Sequence, residues 1–126
     1  MALQGADAMR RKLENLARQM PNEVGRALYQ EAQIELTEIK KRTPVEFGPL
    51  RASEEVLEPE VNGRDISVQI VAGGPSAPYA IYVHEDLSAL HANGTQAKFM
   101  ESVLLESKPF MGARVARRID LNRLIQ

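Results

Sequence analysis

The first third of the chain carries apolar residues at intervals of three and four, which is typical of one face of an amphipathic helix. Pro21 interrupts this pattern, because its ring clashes with the carbonyl of Ala17 and has no N–H to donate to it. We therefore expect a first helix near 5–19 and a second near 21–42, with a single kinked helix as the alternative. The apolar positions are Met9, Leu13, Leu16, Met20, Val24, Leu28, Ala32, Leu36 and Ile39.

The helical pattern ends at a segment that contains Pro44, Gly48 and Pro49. Each proline lacks a backbone donor and disfavours the α conformation in the residue before it. Gly48 can adopt backbone angles that other residues avoid. We expect an ordered elbow here, with no helix or central strand running through it.

Beyond the elbow the apolar period shortens to two, which indicates β-strands. Residues 54–61 form a weak strand candidate that Pro59 would place at a sheet edge. Asn62-Gly63 predicts a tight hairpin turn. The clearest strand signal follows, where Ile66, Val68 and Ile70 alternate with the polar Ser67 and Gln69.

The remaining elements are less regular. Ser76 is a candidate cap for a short helix from Ala77 to about Glu85, although the β-rich run 79–83 is also compatible with a strand. Residues 86–96 have the composition of a polar loop, and 97–100 are expected to be extended. A final helix is predicted near 107–120, with Ser107 as its cap.

Two faces of this last helix differ in chemistry. Met111, Val115 and Ile119 form an apolar stripe, and the opposite face carries Arg114, Arg117 and Arg118. The whole pattern predicts one α+β domain over residues 1–126, with long N-terminal amphipathic helices packed on a small antiparallel sheet, a short middle helix and a C-terminal helix. The expected core combines one helix face with one strand face: Leu28, Leu36, Ile39, Ile66, Val68 and Ile70.

Composition removes several classes of function. The chain has 126 residues and no cysteine, so disulfides and thiolate metal sites are excluded. No apolar run approaches the ~20 residues that span a bilayer, so we expect no membrane partner. Charge is uneven, with +2 over residues 1–52, −6 over 53–90 and +3 over 91–126. The acidic middle is either an assembly device or a plain solvated surface.

His84, Glu85, Asp86 and His91 form one His/carboxylate cluster that a metal-dependent hydrolase would use. The H-E-x-x-H zinc motif requires a second histidine at position 88, where Ser88 stands. We therefore interpret His84 as a partly buried hydrogen-bonding residue, and we expect no catalytic residues, metal or cofactor. Nucleic-acid binding through Arg114, Arg117 and Arg118 is a further alternative.

Three short motifs occur in a characteristic order. Arg42-x-Pro44-Val45-x-x-Gly48-x-Leu50-Arg51-x-Ser53 follows the long helix, Tyr79-Ala80-Ile81-Tyr82-Val83-His84-Glu85 comes next, and Ala97-Lys98-Phe99-Met100-Glu101 comes last. Together they resemble the tail-completion and neck proteins of tailed phages, the lambdoid minor structural protein group. The resemblance extends from about residue 20 to 118.

The resemblance implies a virion structural protein, made in the host bacterial cytoplasm, that assembles into a ring at the head–tail junction. A ring of six or twelve copies would contact other neck proteins, the connector and the tail tube, and would let DNA pass without sequence-specific binding. Apolar anchors and charges would hold the subunits together. The candidate interface residues are Tyr79, Tyr82, Phe99, Glu54, Glu55, Glu58, Arg114, Arg117 and Arg118; the acidic ones could instead line the channel.

Overall fold

A long helix, a small sheet and a second helix dominate the fold. The computed structural model describes residues 5–44, 48–74, 84–85 and 98–122, and their α+β architecture agrees with the sequence prediction. The elements are α1 (Ala6–Arg42), α2 (Gly48–Ser53), β1 (Glu55–Val56), β2 (Glu60–Asn62), β3 (Asp65–Ser67), β4 (Ile70–Val71) and α3 (Phe99–Arg118).

The N-terminal region is one continuous helix with Pro21 inside it, so the expected pair of helices is wrong and the single-helix alternative holds. Pro21 removes one hydrogen bond, to the carbonyl of Ala17, at a cost of about 3 kcal/mol. Ala17 is exposed, so water can satisfy that carbonyl. The helix ends at Arg42 because Pro44 disfavours the α conformation at Thr43, which is extended with ψ 131°.

Burial divides α1 into two parts. Residues 6–19 are exposed apart from a half-buried Leu16, whereas the buried positions of the helix all lie between Glu23 and Ile39. At a rise of ~1.5 Å per residue, about 20 Å of helix therefore extends beyond the packed part of the protein. Met9 and Leu13 are 66% and 59% exposed in this projecting part.

The elbow contains a helix, which corrects the expectation that none would run through it. α2 is only six residues long, and Pro49 is its second residue. Proline is tolerated there because the first N–H groups of a helix have no intrahelical partner. Leu50 from α2 is completely buried, so this short helix anchors the elbow to the core.

The sheet consists of two antiparallel pairs joined by a bulge. Val56 pairs with Ile70 in β1–β4, and Glu60 pairs with Ser67 in β2–β3. Three residues separate the two pairings on the first strand and two on the second, so one extra residue is accommodated beside Pro59. The N–H of Leu57 still bonds to the carbonyl of Gln69, 2.8 Å away, across this junction. The predicted strand 54–61 is thus interrupted where Pro59 lacks a donor.

The hairpin turn is shifted by one residue from its predicted position. Asn62 pairs with Asp65, so the loop residues are Gly63 and Arg64. Gly63 has a φ of +62°, a backbone conformation that favours glycine at the first position of a two-residue turn. Ile66, Val68 and Ile70 are half-buried, while Ser67 and Gln69 are exposed, so the predicted alternation of faces is confirmed.

The C-terminal helix α3 begins at Phe99, eight residues before the predicted start, so the extended segment expected up to residue 100 is also wrong at Phe99 and Met100. Ser107 and Pro109 lie inside the helix and do not cap it. Pro109 leaves the carbonyl of Leu105 without a donor, and Leu105 is 60% exposed, so water can replace that bond. The early turns are held by burial of Phe99 and Val103, one turn apart.

The described residues form two core clusters. One contains Ile39, Leu50, Phe99 and Val103, and the other contains Ala32, Leu36 and Val56, with Ile70 packed against both. The predicted packing of a helix stripe on a strand face is present, but Leu28 and Ile66 are only half-buried. The short middle helix expected at 77–85 lies outside the described residues, except that His84 and Glu85 are helical. No described helix is long and apolar enough to cross a membrane.

Phe99→Ala should lower the free energy of unfolding by about 3–5 kcal/mol, since Phe99 is 1% exposed in the larger cluster. Phe110→Ala in the same helix is the matched control. Phe110 is 59% exposed and has one cation–π contact, with the Arg114 guanidinium 5.8 Å from its ring centroid. Loss of the Phe110 ring should lower the free energy of unfolding by at most about 1 kcal/mol. Urea unfolding measures both; equal losses would contradict the core described here.

Candidate functional site: the interface of the two long helices

α1 and α3 pack side by side in antiparallel orientation. The Arg26 side chain near the start of the packed part of α1 donates to the carbonyl of Arg118 at the end of α3, at 2.7 Å. At the other end, Arg42 donates to the hydroxyl of Ser102, at 3.3 Å, and pairs with Glu106 at 2.5 Å. Polar contacts therefore fix both ends of the interface and set which turn of α3 faces which turn of α1.

Two buried carboxylates occupy the middle of the interface. Glu31 and Glu35 lie one turn apart on α1, and they are 2% and 3% exposed. Arg118 pairs with Glu31 Oε2, and Arg114 Nη1 lies 3.5 Å from Glu31 Oε1 and 3.9 Å from Glu35 Oε1. Because a buried charge without a partner costs several kcal/mol, these ion pairs hold α3 in register.

The Oε2 atoms of the two carboxylates have different partners. Ser107 donates to Glu35 Oε2 at 2.8 Å. Burial raises the pKa of Glu35 from its ordinary value, and the neighbouring Glu31 adds to this, while Ser107 and Arg114 oppose it. The Oε1 atoms of both glutamates are buried and accept no hydrogen bond. These two oxygens are therefore compensated by the longer ionic contacts with Arg114 alone.

Glu31 and Glu35 are among the residues that line an open groove of about 520 Å³ between α1, α3 and the sheet. Its walls are mainly apolar, and Gly112 leaves space on the α3 side, where an added Cβ would meet nothing within 4 Å. We call this the three-walled groove. Its lining residues include Leu28, Glu31, Ala32, Glu35, Ile66, Ser67, Val68, Ile70, Leu104, Met111, Gly112 and Val115.

The elbow that joins α1 to the sheet is a hydrogen-bonded unit. Arg51 donates to the carbonyl of Thr43 at 2.6 Å, and Ser53 donates to the carbonyl of Leu50 at 2.6 Å. The N–H of Gly73 in turn bonds to the Ser53 hydroxyl, 2.8 Å away. The elbow motif seen in the sequence therefore has an architectural role, since its described side chains connect α1, α2 and the end of the sheet.

Glu54 adds a buried hydrogen bond to this unit. It is 2% exposed and bonds to the hydroxyl of Thr43, which also contacts the carbonyl of Ile39 at 2.8 Å. Burial raises the pKa of Glu54, against the opposing effects of Thr43, Lys40 and Arg51.

His84 and Glu85 pack beside the start of α3. The His84 ring meets Phe99 edge-on, with centroids 4.8 Å apart, and its Nε2 accepts from the N–H of Glu101 at 3.4 Å. Glu85 pairs with Lys98, which lowers the pKa of the Glu85 carboxyl. His84 is thus a partly buried hydrogen-bonding residue, as interpreted from the sequence.

A family model described as "Bacteriophage HK97-gp10, putative tail-component" matches residues 7–85, more than half of the chain. The chain belongs to this family. It is a component of a phage tail and hence of the virion, which confirms the resemblance found in the sequence. No curated protein and no solved structure matches the chain. The family match includes α1, the elbow and the sheet, and it ends before α3.

The structure places the candidate interface residues of this tail component in different environments. Glu55, Glu58 and Arg117 are exposed, and their role at a subunit interface stays a prediction. Phe99 is in the core and Glu54 is buried in the elbow, which corrects their assignment to the surface. Arg114 and Arg118 face the buried glutamates of α1, so the basic face predicted for α3 is in part an internal face. Tyr79 and Tyr82 lie outside the described residues.

In the described parts of the chain, no group of three or more His, Cys, Asp or Glu side chains is arranged to hold a metal. Asp86 and His91 of the predicted cluster lie outside those parts. The residues that sequence reasoning missed are Glu31 and Glu35. A signal was available for Glu35, because it follows Ala32 by three positions and precedes Ile39 by four, which places it beside the apolar stripe.

Glu54→Gln should reduce the loss of stability that the tail component shows as pH rises. A folded pKa above the unfolded one means that the folded state binds more protons between the two values, so stability falls as pH increases through that window. The window begins near the ordinary value of 4.5 and ends at the raised folded pKa. Urea unfolding at several pH values measures the difference between the variant and the wild type. Glu55→Gln controls for the loss of one charge. If the stability difference between Glu54→Gln and the wild type does not change with pH, the prediction is contradicted.

Arg118→Met should lower the free energy of unfolding by about 3 kcal/mol, since it leaves Glu31 with one cation in a buried site. Arg117→Met is the matched control. Because the Arg117 side chain is exposed, this change should alter the free energy of unfolding by no more than about 0.5 kcal/mol. Adding Glu31→Gln to Arg118→Met should cost less than the sum of the single changes, because neither partner is then left alone. Additive losses, or equal losses for Arg117 and Arg118, would contradict the ion pairing described.

Proposed function

We propose that this tail component forms an oligomeric ring at the head–tail junction, where it joins the connector to the tail and leaves a channel for DNA. The family match supports a tail component, and the order of the sequence motifs supports a neck or tail-completion role. Its neighbours would be other neck proteins and the tail tube.

The observation that carries the ring proposal is the projecting part of α1. Residues 6–19 lie outside the packed part of the fold, and they expose Met9 and Leu13. Helices of this length are marginal in water on their own, and exposed apolar side chains in a row indicate a contact surface. A neighbouring subunit that covers this segment would stabilise it, and contacts between unlike patches form a ring when the rotation from copy to copy closes.

The acidic residues of the sheet are assigned a role in that ring. Glu55 and Glu58 are exposed beside the bulge, and they either pair with a basic patch of the next subunit, where Arg117 is exposed, or line the channel and repel DNA. Exposed pairs contribute only ~0.2–1 kcal/mol each, so they would set register more than affinity. Tyr79 and Tyr82 are the proposed apolar anchors.

The alternatives are less well supported. A metal-dependent hydrolase would require His84 to be available as a ligand, whereas its two ring nitrogens contact Glu85 and the N–H of Glu101. A nucleic-acid-binding role would require the arginines of α3, of which Arg114 and Arg118 pair with Glu31. The proposal therefore includes no catalytic step and no cofactor.

A nonsense mutation in this gene of the phage should give lysates that contain DNA-filled heads and unjoined tails, visible by electron microscopy. Supplying the wild-type chain from a plasmid should restore joined, infectious particles. Joined particles in the unsupplied mutant would refute a head–tail joining role.

The same lysates can test the acidic residues by supplying the double variant Glu55→Lys with Glu58→Lys. Unjoined particles would identify interface charges, whereas joined particles that deliver DNA poorly would identify a channel lining. Gln69→Lys, which adds a positive charge at an exposed position between β3 and β4, is the control for charge alone. Normal assembly and infectivity in the double variant would leave these residues as a plain solvated surface.

A further inference from the structure

The projecting part of α1 has an apolar ridge with a cation on each flank. Met9 and Leu13 are one turn apart and exposed, and we call these two residues the α1 ridge. At about 100° per residue around the helix, Arg10 lies on one side of this ridge and Lys12 on the other. The exposure of Met9 and Leu13 shows that no part of the same chain buries the ridge.

Both flanking cations are accessible. Arg10 is held only by exposed ion pairs, with Asp7 at 3.7 Å and Glu14 at 3.8 Å. Lys12 has no ion pair with any residue that the structure describes. Residues 6–19 contain four cations and two carboxylates, so this part of the helix carries a net charge of +2. A ridge of this kind is suited to a partner surface that has an apolar centre and acidic flanks.

The outer face of the sheet has that composition. Val56 packs on α1, and side chains alternate along a strand, so Glu55 and Leu57 lie on the face away from α1. Glu60 lies on the same face, since it pairs with the exposed Ser67. We call Glu55, Leu57 and Glu60 the outer sheet face. Leu57, which is 37% exposed, lies between the two carboxylates along the strand.

The carboxylates of this face are exposed and have no cation beside them. Residues 55–62 contain three glutamates and no lysine or arginine, which gives this stretch a net charge of −3. Glu55, Glu58 and Glu60 form no ion pair with any described residue. In contrast, the charge of the buried Glu31 is already compensated by the arginines of α3. The outer sheet face can therefore attract a basic helix from outside the chain.

We propose that the α1 ridge of one copy docks on the outer sheet face of a second copy, with its apolar side chains against Leu57 and its flanking cations towards the glutamates. This deepens the proposed ring, on which it rests, by naming the two patches that meet. Complementary charge selects this occupant, because the projecting part of α1 is basic and residues 55–62 are acidic.

The spacing of the charges agrees with one helix between two glutamates. Glu55 and Glu60 are five residues apart, which corresponds to about 16 Å along the strand. A helix with its side chains is about 10–12 Å wide, so it fits between these carboxylates above Leu57. Arg10 and Lys12 extend from the two flanks of such a helix, and each can then reach one glutamate.

A chain cannot make this contact with itself. The packed part of its own α1 lies on the opposite face of the sheet, where Ala32 and Leu36 cluster with Val56. The projecting part continues the same helix and therefore starts from that side. The α1 ridge and the outer sheet face are unlike patches of one molecule, and joining them between copies gives a head-to-tail contact, as closed rings require.

A carbodiimide, which joins a lysine to a carboxylate in contact with it, tests the docking directly. Isotopically labelled and unlabelled wild-type chains are mixed, cross-linked and digested with trypsin. We expect a mixed-label link between Lys12 and the tryptic peptide 52–64, which contains all three exposed glutamates. The exposed Lys41 and Lys108 are internal controls, because random collision would link them to the same peptide in equal yield.

Charge reversal tests the complementarity. Arg10→Glu with Lys12→Glu reverses the flanks of the ridge, and Glu55→Lys with Glu60→Lys reverses the outer sheet face. Each variant alone should give about tenfold fewer linked chains than the wild type, because like charges then face each other. A mixture of the two variants should form a new link between the introduced glutamates and the introduced lysines, which neither variant can form alone.

The matched control reverses the same number of charges on the other side of the helix. Arg11→Glu with Arg18→Glu places the new carboxylates about 160–180° from the centre of the ridge. This variant should keep the link between Lys12 and peptide 52–64. Circular dichroism of both α1 variants checks that the helix content is the same.

The outcomes separate this contact from the ring itself. A mixed-label link at Lys12 that reversal removes and the mixture of variants restores supports the docking. No such link, or equal links at Lys41 and Lys108, overturns it. In the phage, the two reversed chains supplied together should restore joined particles that neither restores alone. Joining by each reversed chain alone would refute this contact and leave the ring standing, whereas joining without any copy of the chain would refute the ring and leave a specific link as support for the contact.

Discussion

Glu31 and Glu35 can be withdrawn from water only because α3 brings two arginines and a serine to them. The cost of leaving a carboxylate buried without partners exceeds what most single apolar contacts contribute, so α3 has one favourable register along α1. That register also inserts Phe99 and Val103 beside Ile39 and Leu50. One position of α3 along α1 thus makes both the ionic contacts in the middle of the helix pair and the apolar contacts at its end.

The elbow and the bulge adapt the rest of the chain to that helix pair. Pro44 stops α1, Leu50 anchors α2 in the core, and Arg51 and Ser53 connect the backbone on both sides. The extra residue beside Pro59 lies where α1 packs against the first strand, since a Cβ on Gly25 would lie 3.2 Å from the Cβ of Pro59. Bulges commonly bend the strand that carries them. The family motif can therefore be understood as the part of the chain that turns a long helix onto a small sheet.

The sequence predicted the features that depend on periodicity and missed those that depend on tertiary contacts. The helix stripe up to Ile39 and the alternation from Ile66 to Ile70 were predictable, because each follows from the geometry of one element. Pro21 and Pro109 led to wrong predicted helix boundaries. A proline inside a helix is unfavourable, but tertiary packing can offset its cost. The start of α3 and the burial of Phe99 depend on partners distant in sequence, such as Leu50 and Ile39. No local pattern marks Arg118 as internal and Arg117 as external, because only the position of α1 distinguishes them.

The division of α1 at Pro21 has a mechanical consequence. The backbone hydrogen-bond ladder is interrupted there, close to the point where tertiary packing also ends, so the stiffness of the helix changes abruptly at one place. Residues 6–19 can open or tilt at a free-energy cost near that of an isolated helix, without disturbing the buried positions from Glu23 onwards. The projecting part of α1 is thus more flexible than the packed part. A force that a neighbouring molecule exerts on the projecting part is taken up by bending near Pro21.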